Sequence, residues 1–411
     1  MPNPILITMA ALASASFFIW VYLYFFHGDF WRGTESLPNP DPLDQWPRIL
    51  AVIPARNEAE AIAATIRSHA GHGYPGDFSV ILVDDQSSDA TGAIAAQAAA
   101  DSGLDLTLLQ GTALPGGWTG KLWALRNGLA VAKSRAPAAE YILLCDADIA
   151  FSPGVLQKLT AHAVRKDVAL ASLMAKLDAR GVWGGLLIPA FIYFFQKLYP
   201  FPKVNDPKSR IAGAAGGCML IRAPDLWAID GVERIRGGLI DDCALAAELK
   251  GVRGGAAPTR KIWLGLTAEV TSQRDNRSLS SIWTMVARTA YTQLGQSPLA
   301  LIGATLGMAL TYLAPPTCAL IGLGLMLASM LTSEPALLAS GGITMPSALA
   351  FYLMTDSYRP TLRRLYGKPW LAMLTLPIAA VLYMAMALDS ARRHWQGRGG
   401  AWKGRVYPRP G

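Results

Sequence analysis

Tyr141-Ile142-Leu143-Leu144-Cys145-Asp146-Ala147-Asp148 is an apolar run that ends in two acids separated by one residue. Such a run, closed abruptly by polar residues, describes a buried strand that stops at an open edge. Three runs of the same kind precede it: Ile49 to Ile53, Val80 to Val83 and Leu104 to Leu109. Helical stretches fill the gaps, at about Glu58 to His69, Ala90 to Ala100, Lys121 to Ala132 and Pro153 to Ala163. This alternation is the pattern of βαβ units and predicts an α/β domain built on a parallel sheet. Ligands bind such sheets beyond the carboxyl ends of the strands. The runs deliver polar residues to that edge: Arg56 and Asn57 after the first, Asp84 and Asp85 after the second, Asp146 and Asp148 after the fourth.

The chemistry follows from these side chains. Two carboxylates at i and i+2 can share one hard divalent cation, Mg2+ or Mn2+, which in turn bridges the two phosphates of a nucleotide. Asp84 and Asp85 open the stretch Asp84-Asp85-Gln86-Ser87-Ser88-Asp89 and offer acceptors to a base and a ribose. Gly116-Gly117-Trp118-Thr119-Gly120-Lys121 lies between the third strand and a helix. Its glycines permit close backbone approach, and a helix N-terminus favours anions, so Lys121 is a candidate to hold a phosphate; a tight turn with a solvated lysine fits the same pattern. Asp241 and Asp242 stand at the start of another helix, where either also suits capping.

Val52-Ile53-Pro54-Ala55-Arg56-Asn57-Glu58, Val83 to Thr91 and Cys145 to Asp148, in this order and each after a strand, resemble the nucleotide-sugar domain of family 2 inverting glycosyltransferases, over roughly residues 48 to 294. The resemblance implies a GT-A, Rossmann-like fold and a UDP-sugar donor. It gives Asp85 and Asp84 the uridine, Asp146 the ribose and the metal, Asp148 the metal and diphosphate, Arg56 and Glu58 the walls of the base pocket, and Lys121 a donor contact. Gly238-Leu239-Ile240-Asp241-Asp242 is similar to the acidic pair of these enzymes, whose second acid is the general base. That implies Asp242 as base with Asp241 in support. Membrane-embedded members carry Gln-x-x-Arg-Trp on a later helix; the matching positions here are Met285, Arg288 and Thr289, so only the arginine survives. Its reduction argues against processive polymerisation and leaves Arg288 for the diphosphate, with Arg274 and Arg277 as substitutes. The tail Gly397-Arg398-Gly399-Gly400-Ala401-Trp402-Lys403-Gly404-Arg405 and the stretch Arg288-Thr289-Ala290 most resemble the bacterial hopene-associated glycosyltransferases, which suggests a polycyclic lipid acceptor. Carotenoid, ceramide-like and polyprenyl-phosphate acceptors, and a non-catalytic nucleotide-sugar-binding subunit, are the competing readings.

Hydrophobic residues make up 52% of the 411, above the soluble norm of about 45–50%. Ile5 to Phe26 is uncharged and matches the ~30 Å hydrocarbon core in length; bulky aromatics at its end and the lack of a basic start favour an uncleaved anchor. Leu299 to Met330, Ala336 to Met354 and Trp370 to Leu388 are further apolar stretches. The first is long for one span and short for two, and the last is either a simple span or a re-entrant segment broken at Pro377. Val182 to Phe201 reads as a helix at the membrane surface, broken around Pro189, or else as a core helix. Ser278 to Leu294 has one apolar face at helical spacing.

The chain carries a net charge of +8. After Leu388, Arg392, Arg393, Arg398, Lys403, Arg405 and Arg409 face a single Asp389, the signature of a cytoplasmic flank. With no binding motif beside them, these charges do not indicate a nucleic-acid partner. Four cysteines without paired spacing are expected to be reduced, buried thiols. The expected organisation is an anchor at residues 1–27, a cytosolic GT-A catalytic domain at 28–297, a membrane region at 298–388 and a basic cytosolic tail at 389–411. The expected protein is thus a multi-pass glycosyltransferase of a bacterial inner membrane. Its partners are a UDP-sugar, a lipid acceptor and the bilayer.

Overall fold

The computed structural model describes residues 4–135, 138–332, 336–368, 370, 372–400 and 403. The chain divides into two compact units. An α/β unit takes Thr34–Asp178, Phe201–Asn276 and the residues from Gln396 onward; a helical unit takes the residues up to Gly33, Ala179–Pro200 and Arg277–Trp395.

The α/β unit is organised by one sheet of eight strands among the described residues: β1 (Ile49–Ala55), β2 (Phe78–Asp84), β3 (Leu106–Gln110), β4 (Tyr141–Cys145), β5 (Ile149–Phe151), β6 (Leu170–Lys176), β7 (Cys218–Arg222) and β8 (Ile262–Ser272). Their order is β3-β2-β1-β4-β7-β6-β8-β5. β3, β2, β1 and β4 run parallel, so Arg56, Asp85 and Asp146 emerge at one edge. β1 is buried along its whole length, as a strand covered on both faces must be. On one face pack Ile62 and Ile66 of the Ile62–Gly71 helix and Ala95, Ala98 and Ala99 of the Thr91–Ser102 helix. On the other lies the Gly120–Ser134 helix, which approaches β1 so closely that a Cβ on Gly128 would stand 2.4 Å from Val52 Cγ1. That approach fixes where the first turn of this helix, with Lys121, meets the strand ends.

The sheet is mixed, where the repeating pattern of the sequence predicts a parallel one. β7 is antiparallel to both β4 and β6, and β5 is antiparallel to β8. Cys145 pairs with Cys218, so the turn Gly216-Gly217 that leads into β7 arrives beside Asp146. β8 ends with Ser272 opposite Ile149, next to Asp148. All four cysteines are buried and none forms a disulfide.

Among the described residues of the helical unit, four helices are long and apolar enough to cross a membrane: Pro4–Phe25, Gly181–Leu198, Pro298–Leu331 and Leu374–Trp395. Gly181–Leu198 runs unbroken through Pro189, contrary to the break expected there. A proline removes one N–H and crowds the carbonyl four residues back; here Leu187, Ile188, Ala190 and Ile192 are buried on either side of it, and packing holds the turn. Ala372–Trp395 likewise passes Pro377 as a continuous helix, against the re-entrant alternative. The apolar pattern of Ser278 to Leu294 divides into Leu279–Ala287 and Ala290–Gln293.

The long third segment is neither one regular span nor two. A π-turn at Ala309–Leu313 separates Pro298–Met308 from Ala314–Thr332. Pro315 and Pro316 have no N–H for the carbonyls of Thr311 and Tyr312. The buried Trp20 indole supplies the missing donor, with Nε1 2.7 Å from the Thr311 carbonyl oxygen. Other polar groups also pair inside the unit, including Tyr24 with Asp356 at 2.7 Å and Trp283 with Asp389 at 2.8 Å. Large apolar side chains such as Phe18, Leu299, Leu320 and Leu331 face outward.

Candidate active site

The loops after β1 and β2 are laced together. Asn57 N–H donates to Ser87 Oγ at 3.0 Å, Ser88 N–H to Asn57 Oδ1 at 2.8 Å, and Glu58 N–H to Thr91 Oγ1 at 2.8 Å. Asn57 and Gln86 both hold positive φ, 51° and 55°, a conformation uncommon outside glycine that clusters at functional sites. Arg56 closes the corner by donating to the backbone carbonyls of Asp85 and of Gln86, the latter at 3.0 Å. Asp85 is fully buried beneath it, with Oδ2 3.9 Å from Arg56 Nη1. Asp84 is turned into its own loop, where Oδ1 accepts from Ser87 N–H at 2.9 Å.

At the end of β4, Asp146 and Asp148 point to different partners. Asp146 Oδ1 lies 2.8 Å from Lys121 Nζ, and the same ammonium lies 3.0 Å from Asp241 Oδ2. Burial pulls the lysine down, but the charges of Asp146, Asp241 and Asp242 outweigh it and hold Lys121 protonated above its ordinary range. Asp148 Oδ2 accepts from Ser272 Oγ at 2.6 Å, and its Oδ1 lies 3.5 Å from Arg274 Nη2. Arg274 also reaches Glu58 at 3.3 Å.

Asp241 and Asp242 open the Asp241–Lys250 helix. The far end of that helix is pinned by Lys250, whose buried ammonium donates to the carbonyls of Val204 and Ile211 at 2.7 Å each. Asp242 accepts from Gly216 N–H at 2.9 Å and Cys243 N–H at 2.8 Å. Burial, then the Asp241 charge, push its carboxyl up to about 6; Lys121 and the two N–H donors oppose this. A carboxylate with that affinity for protons is suited to take one near neutral pH. Lys121, Asp146, Asp241 and Asp242 line one pocket, with Pro54 and Gly216 in its wall.

The structure therefore brings together Lys121, Asp146, Asp241 and Asp242 in one group, and Arg56, Glu58, Asp85 and Asp148 along the adjoining edge. Arg288 belongs to the helical unit, at the C-terminal cap of Leu279–Ala287. The arginine set against Asp148 and Glu58 is Arg274. Gly216 and Ser272 are additional participants that no motif announced, although a Gly-Gly pair before an apolar strand is a signal of close backbone approach.

No three His, Cys, Asp or Glu side chains converge as a metal cage among the described residues. The donors at the β4 edge still fit a hard divalent cation. Asp146 and Asp148 are carboxylates, and protein cations, Lys121 and Arg274, already neutralise them. Mg2+ characteristically takes one or two carboxylates and completes its shell with phosphates and water.

Residues 50–230 match the family model Glycosyl transferase family 2. No curated protein matches the chain in sequence. Among solved structures, the chain is similar to the mannosyltransferase PcManGT from Pyrobaculum calidifontis in complex with GDP-Man and Mn2+, at 18% identity and a TM-score of 0.58, over 95% of this chain and 99% of that one. Lower similarity is found to glucosyl-3-phosphoglycerate synthase from Mycobacterium tuberculosis in complex with Mn2+, UDP and phosphoglyceric acid (17% identity, TM-score 0.40, 64% of this chain and 86% of that one). S. aureus TarS 1-349 in complex with UDP-GlcNAc gives 14% identity and a TM-score of 0.37, over 85% and 92%. The matched span begins within β1 and takes in the acids at the ends of β2 and β4, and the first of these structures shares the GT-A-like fold: residues 50–230 form the family 2 domain of a glycosyltransferase.

Proposed function

We propose that the enzyme moves one sugar, with inversion, from a UDP-sugar in the cytosol to a lipid alcohol in a bacterial inner membrane, with hopanoid glycolipids as the leading product class. The observation that carries this reading is the contact of Lys121 with both Asp146 and Asp241, which joins a donor-side acid to the acceptor-side acids in a single pocket. In the transfer, the acceptor oxygen attacks the anomeric carbon while the bond from that carbon to the diphosphate oxygen breaks. The electron pair leaves with the diphosphate, and Asp242 takes the hydroxyl proton. Attack from the side opposite the leaving group inverts the centre. Lys121 and Arg274 supply fixed positive charge where the diphosphate gains negative charge. A divalent cation, when bound, would be held by Asp146 and Asp148 and would neutralise further charge on the diphosphate.

A hydroxyl acceptor suits this site better than a phosphate acceptor. A phosphate monoester is already ionised near pH 7, whereas an alcohol needs a base, and Asp242 is held at about 6. The outward apolar side chains and inward polar pairs of the helical unit support a lipid setting, where uncompensated polar groups are costly. Reporters fused after Asp44 and after Arg409 are expected to read cytosolic; a periplasmic signal for the second would overturn the placement of the tail on the same side as the catalytic domain. The functional test is mass spectrometry of membrane lipids from cells with and without the gene. Loss of a glycosylated polycyclic alcohol supports the proposal, and an unchanged lipid profile with loss of a soluble glycoside overturns it.

A further inference from the structure

Two described residues of the basic tail, Gly400 and Lys403, make contacts within the α/β unit. Gly400 stands against Leu239, just before the acidic pair, with φ of 73° and so little room that a Cβ would lie 2.6 Å from Leu239 Cδ1. Lys403 meets the loop after β1, with Nζ 2.9 Å from Glu58 Oε1 and 3.0 Å from the Asn57 carbonyl oxygen. Arg56 in turn donates to the Lys403 carbonyl at 3.2 Å. Arg56, Lys403, Glu58, Arg274 and Asp148 thus form one unbroken series of contacts along the donor edge.

We propose that Lys403 is a positioning residue for the nucleotide-sugar: it neutralises Glu58 and fixes the Arg56–Asn57 corner, so that Arg274 is left to serve Asp148 and the incoming diphosphate. This rests on the reading of that edge as the donor site. The groups facing Glu58 are Lys403, Arg274 and Asp148. Burial raises the Glu58 carboxyl, and Lys403 and Arg274 pull it back. Without Lys403, Glu58 claims Arg274 from Asp148. That change weakens the donor site while Asp242 and its partners stay as they are.

The test uses the full chain in nanodiscs, with UDP-glucose, UDP-GlcNAc and GDP-mannose as probes in the presence of Mn2+. Lys403→Met is expected to raise donor KM or Kd about tenfold, equivalent to ~1.4 kcal/mol, with the loss in KM and not in kcat. Lys403→Arg keeps the charge and is expected to restore most of the affinity. If the unmodified chain binds and Lys403→Met binds the same nucleotide within twofold, the role of Lys403 is wrong and the donor site stands. If the unmodified chain binds none of the probes, the donor-site reading fails and the role of Lys403 falls with it.

Discussion

Asp242→Asn is expected to lower turnover at least about a hundredfold while leaving nucleotide-sugar affinity nearly unchanged. The base acts only as the new bond forms, so it adds little to the donor-bound ground state. General-base catalysis is typically worth about 10² to 10⁴ in rate, and a hundredfold is ~2.7 kcal/mol of activation free energy. The substitution has one structural cost. Asp242 accepts from two backbone N–H groups, one on each oxygen, and an amide can accept only on its single oxygen. The unsatisfied N–H costs about 1–3 kcal/mol, which thermal unfolding of the variant reads separately from rate. The unmodified enzyme carries a companion signature. The base works deprotonated and its carboxyl is raised to about 6, so kcat is expected to fall tenfold per pH unit below about 6 and to level off above it. Retention of near-normal turnover in Asp242→Asn would transfer the role to Asp241 or another acid.

Asp148→Asn is expected to fail at the earlier step. Its carboxylate faces Ser272 and Arg274 at the donor edge, away from the Lys121 group. Neutralising it removes a hard oxygen donor for the cation and one of the two anions that hold Arg274. Metal-assisted charge neutralisation is worth several kcal/mol, so transfer is expected to drop at least about a hundredfold. Here, unlike Asp242→Asn, donor affinity measured calorimetrically with Mn2+ should fall to the value found with the metal chelated. A variant that still gains affinity on adding Mn2+ would show that Asp148 is not a metal ligand.

The parts of this arrangement legible in the sequence are those encoded locally. β1, β2 and β4 are apolar runs closed by their own polar residues, and parallel order aligns those closures. The acids at that edge could therefore be located from adjacent letters. What could not be read depends on partners far along the chain. β7 is a short apolar strand, and its direction is set by the neighbours it pairs with, not by its composition. Gly216, Ser272 and Lys403 meet Asp242, Asp148 and Glu58 only through contacts between residues far apart in the chain. Lys403 was visible as one of several basic residues, and its charge alone suggested a solvated flank. Pro189 reads as a break, and Pro377 as one in the re-entrant alternative, because proline is unfavourable in an isolated helix, and tertiary packing overrides that preference.

The Trp20–Thr311 hydrogen bond has a consequence for how the molecule is made. Synthesis delivers the first helix long before Pro315 and Pro316, so the indole waits without its acceptor until most of the chain has emerged. The carbonyl freed by those prolines is satisfied only when this early arrival is in place. The amino-terminal helix is therefore not interchangeable: an unrelated segment of equal length and greasiness would leave a hole in the hydrogen bonding of a helix made some three hundred residues later.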